Sequence, residues 1–221
     1  MEELNKIMLQ DIQNALQGAS EVKVDRFELG DAAQPVIIHF IYCEGMIQTV
    51  QINDYILPRL ERILPEIDGG RKLNAKMNAV HIRQIGELDH MVFSGLLIVF
   101  FEGTGDAYAV DIADLPQRLP QESSAEISIK GPRDAFVEEL ISNIALVRKR
   151  LRTASLATER FTIGTRSKTN VALLYIKDIA NPNYVEEARQ RLQSINIDIL
   201  GGSAVLEEWL ADDPYSLFPL I

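Results

Sequence analysis

The apolar positions Leu4, Ile7, Met8, Ile12, Ala15 and Leu16 recur every three to four residues, which predicts an amphipathic helix with Gly18 as its C-terminal stop. The period then shortens. Val22 to Leu29 reads as a strand, and Pro35 to Tyr42 is a continuous apolar run of the kind a strand covered on both faces carries. Asn53 and Asp54 are placed to cap a helix whose stripe is Ile56, Leu57, Leu60, Ile63 and Leu64. A further helix is expected to precede or contain Asn74 to Ile85. Val92 to Phe101 and Ala107 to Ile112 read as strands joined by Glu-Gly-Thr-Gly-Asp, a hairpin signal.

Asp114 to Ala125 has two prolines and little periodicity, the composition of a linker. Beyond it, Asp134 to Leu151 predicts a long helix with Phe136, Val137, Leu140, Ile141, Ile144 and Leu151 inward. Arg148, Lys149, Arg150 and Arg152 crowd its end, where the helix dipole favours cations. Strands follow at Ala157 to Ile163 and Asn170 to Ile176. Asn183 with Glu186 is a capping-box pattern for the next helix, and Ser203 is placed to cap a last one, Ala204 to Ala211.

The order helix, strand, strand, helix thus occurs twice. Asp25-Arg26-Phe27-Glu28-Leu29-Gly30 lies against Glu159-Arg160-Phe161-Thr162-Ile163-Gly164 at an offset of 134 residues, and Ile37 to Ile47 lies against Asn170 to Ala180 at 133. The expected fold class is therefore α/β (α+β): two small α/β subdomains, each a mixed sheet with flanking helices, related as a degenerate internal repeat. The alternative is chance similarity between short α/β segments. The expected division is residues 1–118, a linker at 119–128, and residues 129–221.

Composition narrows the chemistry. In 221 residues, 47% are hydrophobic and 24% charged, enough to bury a core. The net charge of −10 opposes nucleic-acid binding except through a local basic patch. The single cysteine, Cys43, excludes an internal disulfide and reads as a small residue at a strand end. Met91 to Phe101, the longest nearly uncharged run, has about half of the roughly 20 residues a membrane span needs and reads as a buried strand. The N-terminus lacks the features of a signal peptide. His39, His81 and His90 have no partner at metal-ligand spacing, and His39 reads as a hydrogen-bonded core histidine. No catalytic constellation, metal site or cofactor motif is visible, so the expectation is a protein that is not an enzyme and needs no cofactor.

The candidate interface or ligand-contact residues are Lys130, Arg133, Arg148, Arg150, Arg166, Ser167, Lys168 and Thr169. Lys130 and Arg133 flank a helix-initiating Gly131-Pro132 and could together engage a carboxylate. Gly164 to Thr169 offers two cations and three hydroxyls between strands. It lacks the second glycine and following helix of a phosphate-binding loop, so a polar hairpin is the simpler reading. Arg148 to Arg152 could also meet anionic lipid, although the dipole already accounts for most of the cluster.

Lys130-Gly-Pro-Arg-Asp-Ala-Phe136 resembles the Arg-Gly-Pro-Arg-Glu-Gly-Phe segment of the A subunits of GerA-type spore germinant receptors, departing at Lys130, Asp134 and Ala135. Asn143 to Leu146 with Arg148 and Arg150, Ile163-Gly164 with Arg166 to Thr169, and Arg191-Leu192 through Ile197-Asp198 follow the same pattern. So does Asp213 to Pro219, where the family usually has Ser-Pro-Phe-Pro-Gln before a transmembrane region. Stage V sporulation AF-type paralogues share this domain. The resemblance implies a non-catalytic cytosolic domain on the core side of the spore inner membrane. It implies B and C subunits, the transmembrane part of its own chain and further A subunits as partners, and no nucleic acid. A second reading is a bilobed module that binds a germinant or cytosolic ligand in a cleft.

Overall fold

The computed structural model describes residues 7–31, 34–66, 73, 77–113 and 136–211. The linker expected at 119–128 lies outside them. Two compact units form, and each is discontinuous in sequence: Met1–Gln17 with Glu21–Ala154, and Gly18–Ser20 with Ser155–Ile221.

In the first unit, helix α1 (Leu9–Ala15) precedes strands β1 (Val22–Leu29) and β2 (Val36–Cys43), which pair antiparallel from Val22↔Cys43 to Leu29↔Val36. Two further strands, β4 (Leu96–Phe101) and β5 (Asp106–Asp111), and the short β3 (Val80–Ile82) complete a sheet of order β1-β2-β4-β5-β3. Every ladder in it is antiparallel, where a mixed sheet was expected. Tight turns explain this: hairpins such as Glu102 to Gly105, with Gly105 at φ +76, can join only antiparallel neighbours.

Residues of β2 and β4 are buried on both sheet faces, which is why their sequences are almost uniformly apolar. On one face Ile38, Phe40, Leu97, Val99 and Phe101 pack with Ile52, Ile56, Leu60 and Ile63. These last four lie on α2, a helical run that opens at Thr49–Gln51, passes through a π-helical turn at Ile52–Ile56 and continues as Leu57–Ile63. Asn53 and Asp54 therefore sit inside the helix and do not cap it; Gln48 holds the cap position. Pro58 has no N–H to give back to the preceding turn, and the wider turn absorbs that loss.

Where a helix was expected to precede or contain Asn74 to Ile85, Leu73 and Met77 are helical, and the later part of the segment forms β3, an edge strand paired with β5 through Val80↔Ala109. Likewise Leu88–Val92 is a short helix, α3, and β4 starts only at Leu96. Gly95 makes that break: it sits at φ +89, and a Cβ there would lie 2.7 Å from the Met46 carbonyl oxygen.

Helix α4 (Leu140–Arg150), expected to open the second lobe, belongs with the first unit. Its Ile141 and Ala145 press on Gly45, just beyond β2, and its Arg148 reaches Glu21.

In the second unit β6 (Leu156–Ile163) and β7 (Thr169–Ile176) form an antiparallel hairpin, with one parallel bridge from Ala19 to Thr158. Helices α5 (Pro182–Ser194) and α6 (Ser203–Leu210) supply Leu192, Val205, Leu206 and Leu210 to a small core with Phe161, Ile163, Val171 and Leu173. Asn181 caps α5 by accepting from the Asn183 N–H at 3.0 Å, ahead of Pro182. Asn183 was the residue expected there. The expected Ser203 cap also shifts by one, since α6 starts at Ser203 with Gly202 before it.

The two hairpins correspond residue for residue. Adding 134 to the bounds of β1 gives those of β6, and adding 133 to those of β2 gives those of β7. The pairing register carries over as well, Val22↔Cys43 onto Leu156↔Ile176. Beyond the strands, Glu44 N–H donates to Glu21 C=O at 2.8 Å, and at the same place Lys177 N–H donates to Ser155 C=O at 2.8 Å. Gly30 and Gly164 both turn left-handed after the first strand, at φ +92 and +90.

Candidate functional site

Three arrangements of charged and polar side chains stand out, and each is built by the elements just described.

The first lies within the first unit, where α4 brings Arg148 against the start of β1. Its Nε donates to Oε1 of Glu21 at 2.8 Å and its Nη2 reaches the same oxygen, with both side chains wholly buried. Nη1 donates to the Thr153 carbonyl oxygen at 2.7 Å, and the guanidinium lies over the Phe93 ring, 4.0 Å from its centre. Two charges leave water together here, so the geometry must return what desolvation costs. The second oxygen of Glu21 has no hydrogen-bond partner among the described residues.

The second is the β6–β7 turn. Thr165, Arg166 and Ser167 give their backbone N–H groups to the carbonyl oxygens of Ile197 and Asp198. Thr165 Oγ1 donates to Asp198 Oδ1 at 2.6 Å, and Arg166 Nε stands 3.6 Å from Asp198 Oδ2. Ser167 Oγ accepts from the Leu200 N–H at 3.1 Å and lies 3.0 Å from Thr169 Oγ1. Lys168 takes φ +50 to close the turn. The donors that would cradle a phosphate are thus committed to the 197–200 segment.

The third repeats across the two hairpins. Tyr42 OH donates to Asp25 at 2.8 Å, and Tyr175 OH donates to Glu159 at 2.9 Å. Burial, then the bond to Asp25, pushes the Tyr42 hydroxyl pKa well above its ordinary value; Tyr175 shifts upward for the same reasons. Among the described residues only the second pair has a cation hydrogen-bonded to its carboxylate. Arg189 of α5 meets Glu159 through Nε and Nη2, both at 2.7 Å, and its Nη1 reaches Glu186. Hydrogen bonds from Arg189 hold the Glu159 carboxyl below its usual range against the opposing effect of burial.

Of the residues singled out from sequence, Lys130 and Arg133 lie outside the described residues. Arg166, Ser167, Lys168 and Thr169 come together in one turn, whereas Arg148 is buried in the first unit and Arg150 is exposed at the end of α4. Glu21, Asp198 and the Glu159–Tyr175–Arg189 set were missed. A signal for the last was present, because the repeat alignment puts Asp25 on Glu159 and Tyr42 on Tyr175. His39 is buried, with Nε2 2.7 Å from Glu102 Oε2, as a hydrogen-bonded core histidine should be. Among the described residues no helix is long and apolar enough to cross a membrane.

A family model described as Bacillus/Clostridium GerA spore germination protein matches residues 10–221. The chain is 36% identical over 214 residues to spore germination protein XA of Bacillus anthracis, covering 93% of this chain and 43% of that protein. It is 37% identical over 159 residues to stage V sporulation protein AF of Bacillus subtilis, covering 72% of this chain and 32% of that one. The chain therefore spans less than half the length of these relatives. The crystal structure of the N-terminal domain of the A subunit of the Bacillus megaterium spore germinant receptor GerK3 matches with a TM-score of 0.67 and 25% identity, over 92% of this chain and 76% of that one.

Proposed function

This chain belongs to the Bacillus/Clostridium GerA family of spore germination proteins, and from that premise we propose that it is the N-terminal cytosolic domain of a germinant-receptor A subunit. In this reading it works without catalysis, in receptor assembly and in relaying the nutrient signal. It lies at the core face of the spore inner membrane, joined to the transmembrane part of its own chain and to B and C subunits.

The observation that carries the reading is the use made of the family-pattern charges. Arg148 is spent on a buried partner and serves local structure, whereas Arg166 meets Asp198 only at the surface, both side chains mostly in solvent. With Arg150 and Lys168, also exposed, Arg166 is an interface candidate.

The test is made in the intact receptor. Arg166→Ala with Lys168→Ala is compared with Arg148→Met for germination, for A-subunit level and for co-purification of B and C. Loss of germination at normal subunit level in the exposed pair supports relay or assembly, and unchanged germination there removes the turn from it. A raised melting temperature with one member of an amino-acid, sugar and nucleotide panel would replace this reading with a ligand-binding module. At 100 times its dissociation constant such a ligand adds about 2.7 kcal/mol.

A further inference from the structure

The chain passes between the two units three times, after Gln17, after Ser20 and after Ala154. Two of these crossings are secured by one buried side chain. Arg148 gives Nε, at 2.8 Å, and Nη2 to Glu21, the residue with which the chain re-enters the first unit after Gly18–Ser20. Its Nη1 donates, at 2.7 Å, to the carbonyl oxygen of Thr153, two residues before the chain leaves again at Ser155. Glu21 is held through its backbone as well, by the bond from Glu44 N–H.

The second unit depends on what these two crossings deliver. Gly18–Ser20 runs beside the start of β6, with Thr158 N–H donating to Gly18 C=O at 2.8 Å and Ser20 N–H donating to Thr158 C=O at 3.2 Å. Without that tripeptide β6 and β7 are a two-stranded ribbon, a form that is marginal by itself. The core it shares with α5 and α6 is small, with Ile163, Leu192, Ile195 and Leu200 as its buried members among the described residues. Pairing Gly18–Ser20 with β6 costs chain entropy, because both ends of the tripeptide belong to the first unit. One guanidinium that holds both Glu21 and Thr153 fixes the end of the tripeptide and the approach to β6 together, and so lowers that cost.

We propose that Arg148 is a positioning residue that couples the stability of the two units, by holding together the two places from which the chain enters the second one. The choice of arginine follows from the task. A lysine could neutralise Glu21 as a single point charge, whereas the planar fork serves a carboxylate and a carbonyl oxygen at once. This coupling goes beyond the receptor reading and does not depend on it.

The sequence carries one reporter for each unit. Its single cysteine, Cys43, is buried in the first, and its single tryptophan, Trp209, lies on α6 of the second. Urea unfolding of the 221-residue chain is followed by pulsed thiol labelling of Cys43 and by Trp209 fluorescence. In the wild type the two midpoints are expected to coincide. Arg148→Met with Glu21→Leu leaves no unpaired charge, so the Cys43 midpoint is expected to stay near that of the wild type while the Trp209 midpoint falls about 0.5 M or more below it. Arg148→Lys keeps a cation for Glu21 but loses the bond to Thr153, and is expected to separate the midpoints in the same order. Coincident midpoints in the double variant, or in Arg148→Lys should the double variant fail to fold, overturn the proposal. So do separate midpoints in the wild type. Labelling of Cys43 ahead of the Trp209 transition overturns it too, because Arg148 would then serve only the packing of the first unit.

Discussion

Arg148 and Glu21 stand 127 residues apart in sequence and meet at 2.8 Å with no solvent on either side chain. Removing one partner leaves the other as an uncompensated buried charge. Arg148→Met is expected to cost about 3–5 kcal/mol, read as a lower urea midpoint. Adding Glu21→Leu should return most of the loss, because an apolar pair needs no compensation. A double variant as unstable as the single one would show that the pair does more than neutralise itself.

The two tyrosine–carboxylate bonds occupy corresponding places in the hairpins, so their loss should cost similar amounts. Tyr42→Phe and Tyr175→Phe are each expected to lower stability by about 1 kcal/mol, additively, in thermal or urea unfolding. An effect confined to one of them would mean that the correspondence is geometric and not energetic.

Protonation sets limits on both sides of neutrality. Glu159, held below its ordinary 4.5 by Arg189, contributes stability that is present above that value and fades as pH falls through its folded pKa. Tyr42, pushed above its ordinary 10.0 by burial and then by Asp25, contributes stability that is present below 10.0 and fades as pH rises through its folded pKa. Stability against pH should therefore fall at both extremes. Glu159→Gln is expected to flatten the acid limb and, because Glu159 also raises Tyr175, part of the alkaline limb; Tyr42→Phe is expected to flatten the alkaline limb alone.

Gly164 is a sharper structural test. At φ +90, a Cβ would lie 2.2 Å from Ser167 Oγ and 3.2 Å from the Asp198 carbonyl oxygen. Moving Ser167 aside would break its bond with the Leu200 N–H. Gly164→Ala should cost about 1–3 kcal/mol. Gly103→Ala, with nothing within 4 Å of the new methyl, should fall within about 0.5 kcal/mol of wild type.

What the sequence revealed depended on the range of the interaction. The bounds of β1, β2, β6 and β7 were readable nearly to the residue, because alternation and apolar runs are local, and the offset between hairpins carried the register with them. The start of α2 was misplaced because a π-helical turn ahead of Pro58 shifts the apolar stripe, which made Asn53 and Asp54 resemble caps. The three residues of β3 are too few to show a period. Arg148 was read as one more cation at a helix end, since nothing local marks Glu21 as its partner. The turn at Gly164 to Thr169 was legible as a polar hairpin, but Asp198, which secures it, lies too far along the chain to be inferred.

The tripeptide Gly18–Ser20 has a practical consequence for dissecting this protein. It lies on the edge of β6 yet is joined by peptide bonds to α1 and β1 of the other unit. No single cut of the gene can release the second unit whole. A fragment starting at Ser155 would bare β6 along the edge that Gly18–Ser20 covers, so that among the described residues neither edge of the β6–β7 ribbon would be paired. Such a fragment should be recovered aggregated, and should become soluble when a short peptide spanning Gln17–Glu21 is fused ahead of it through a flexible tether.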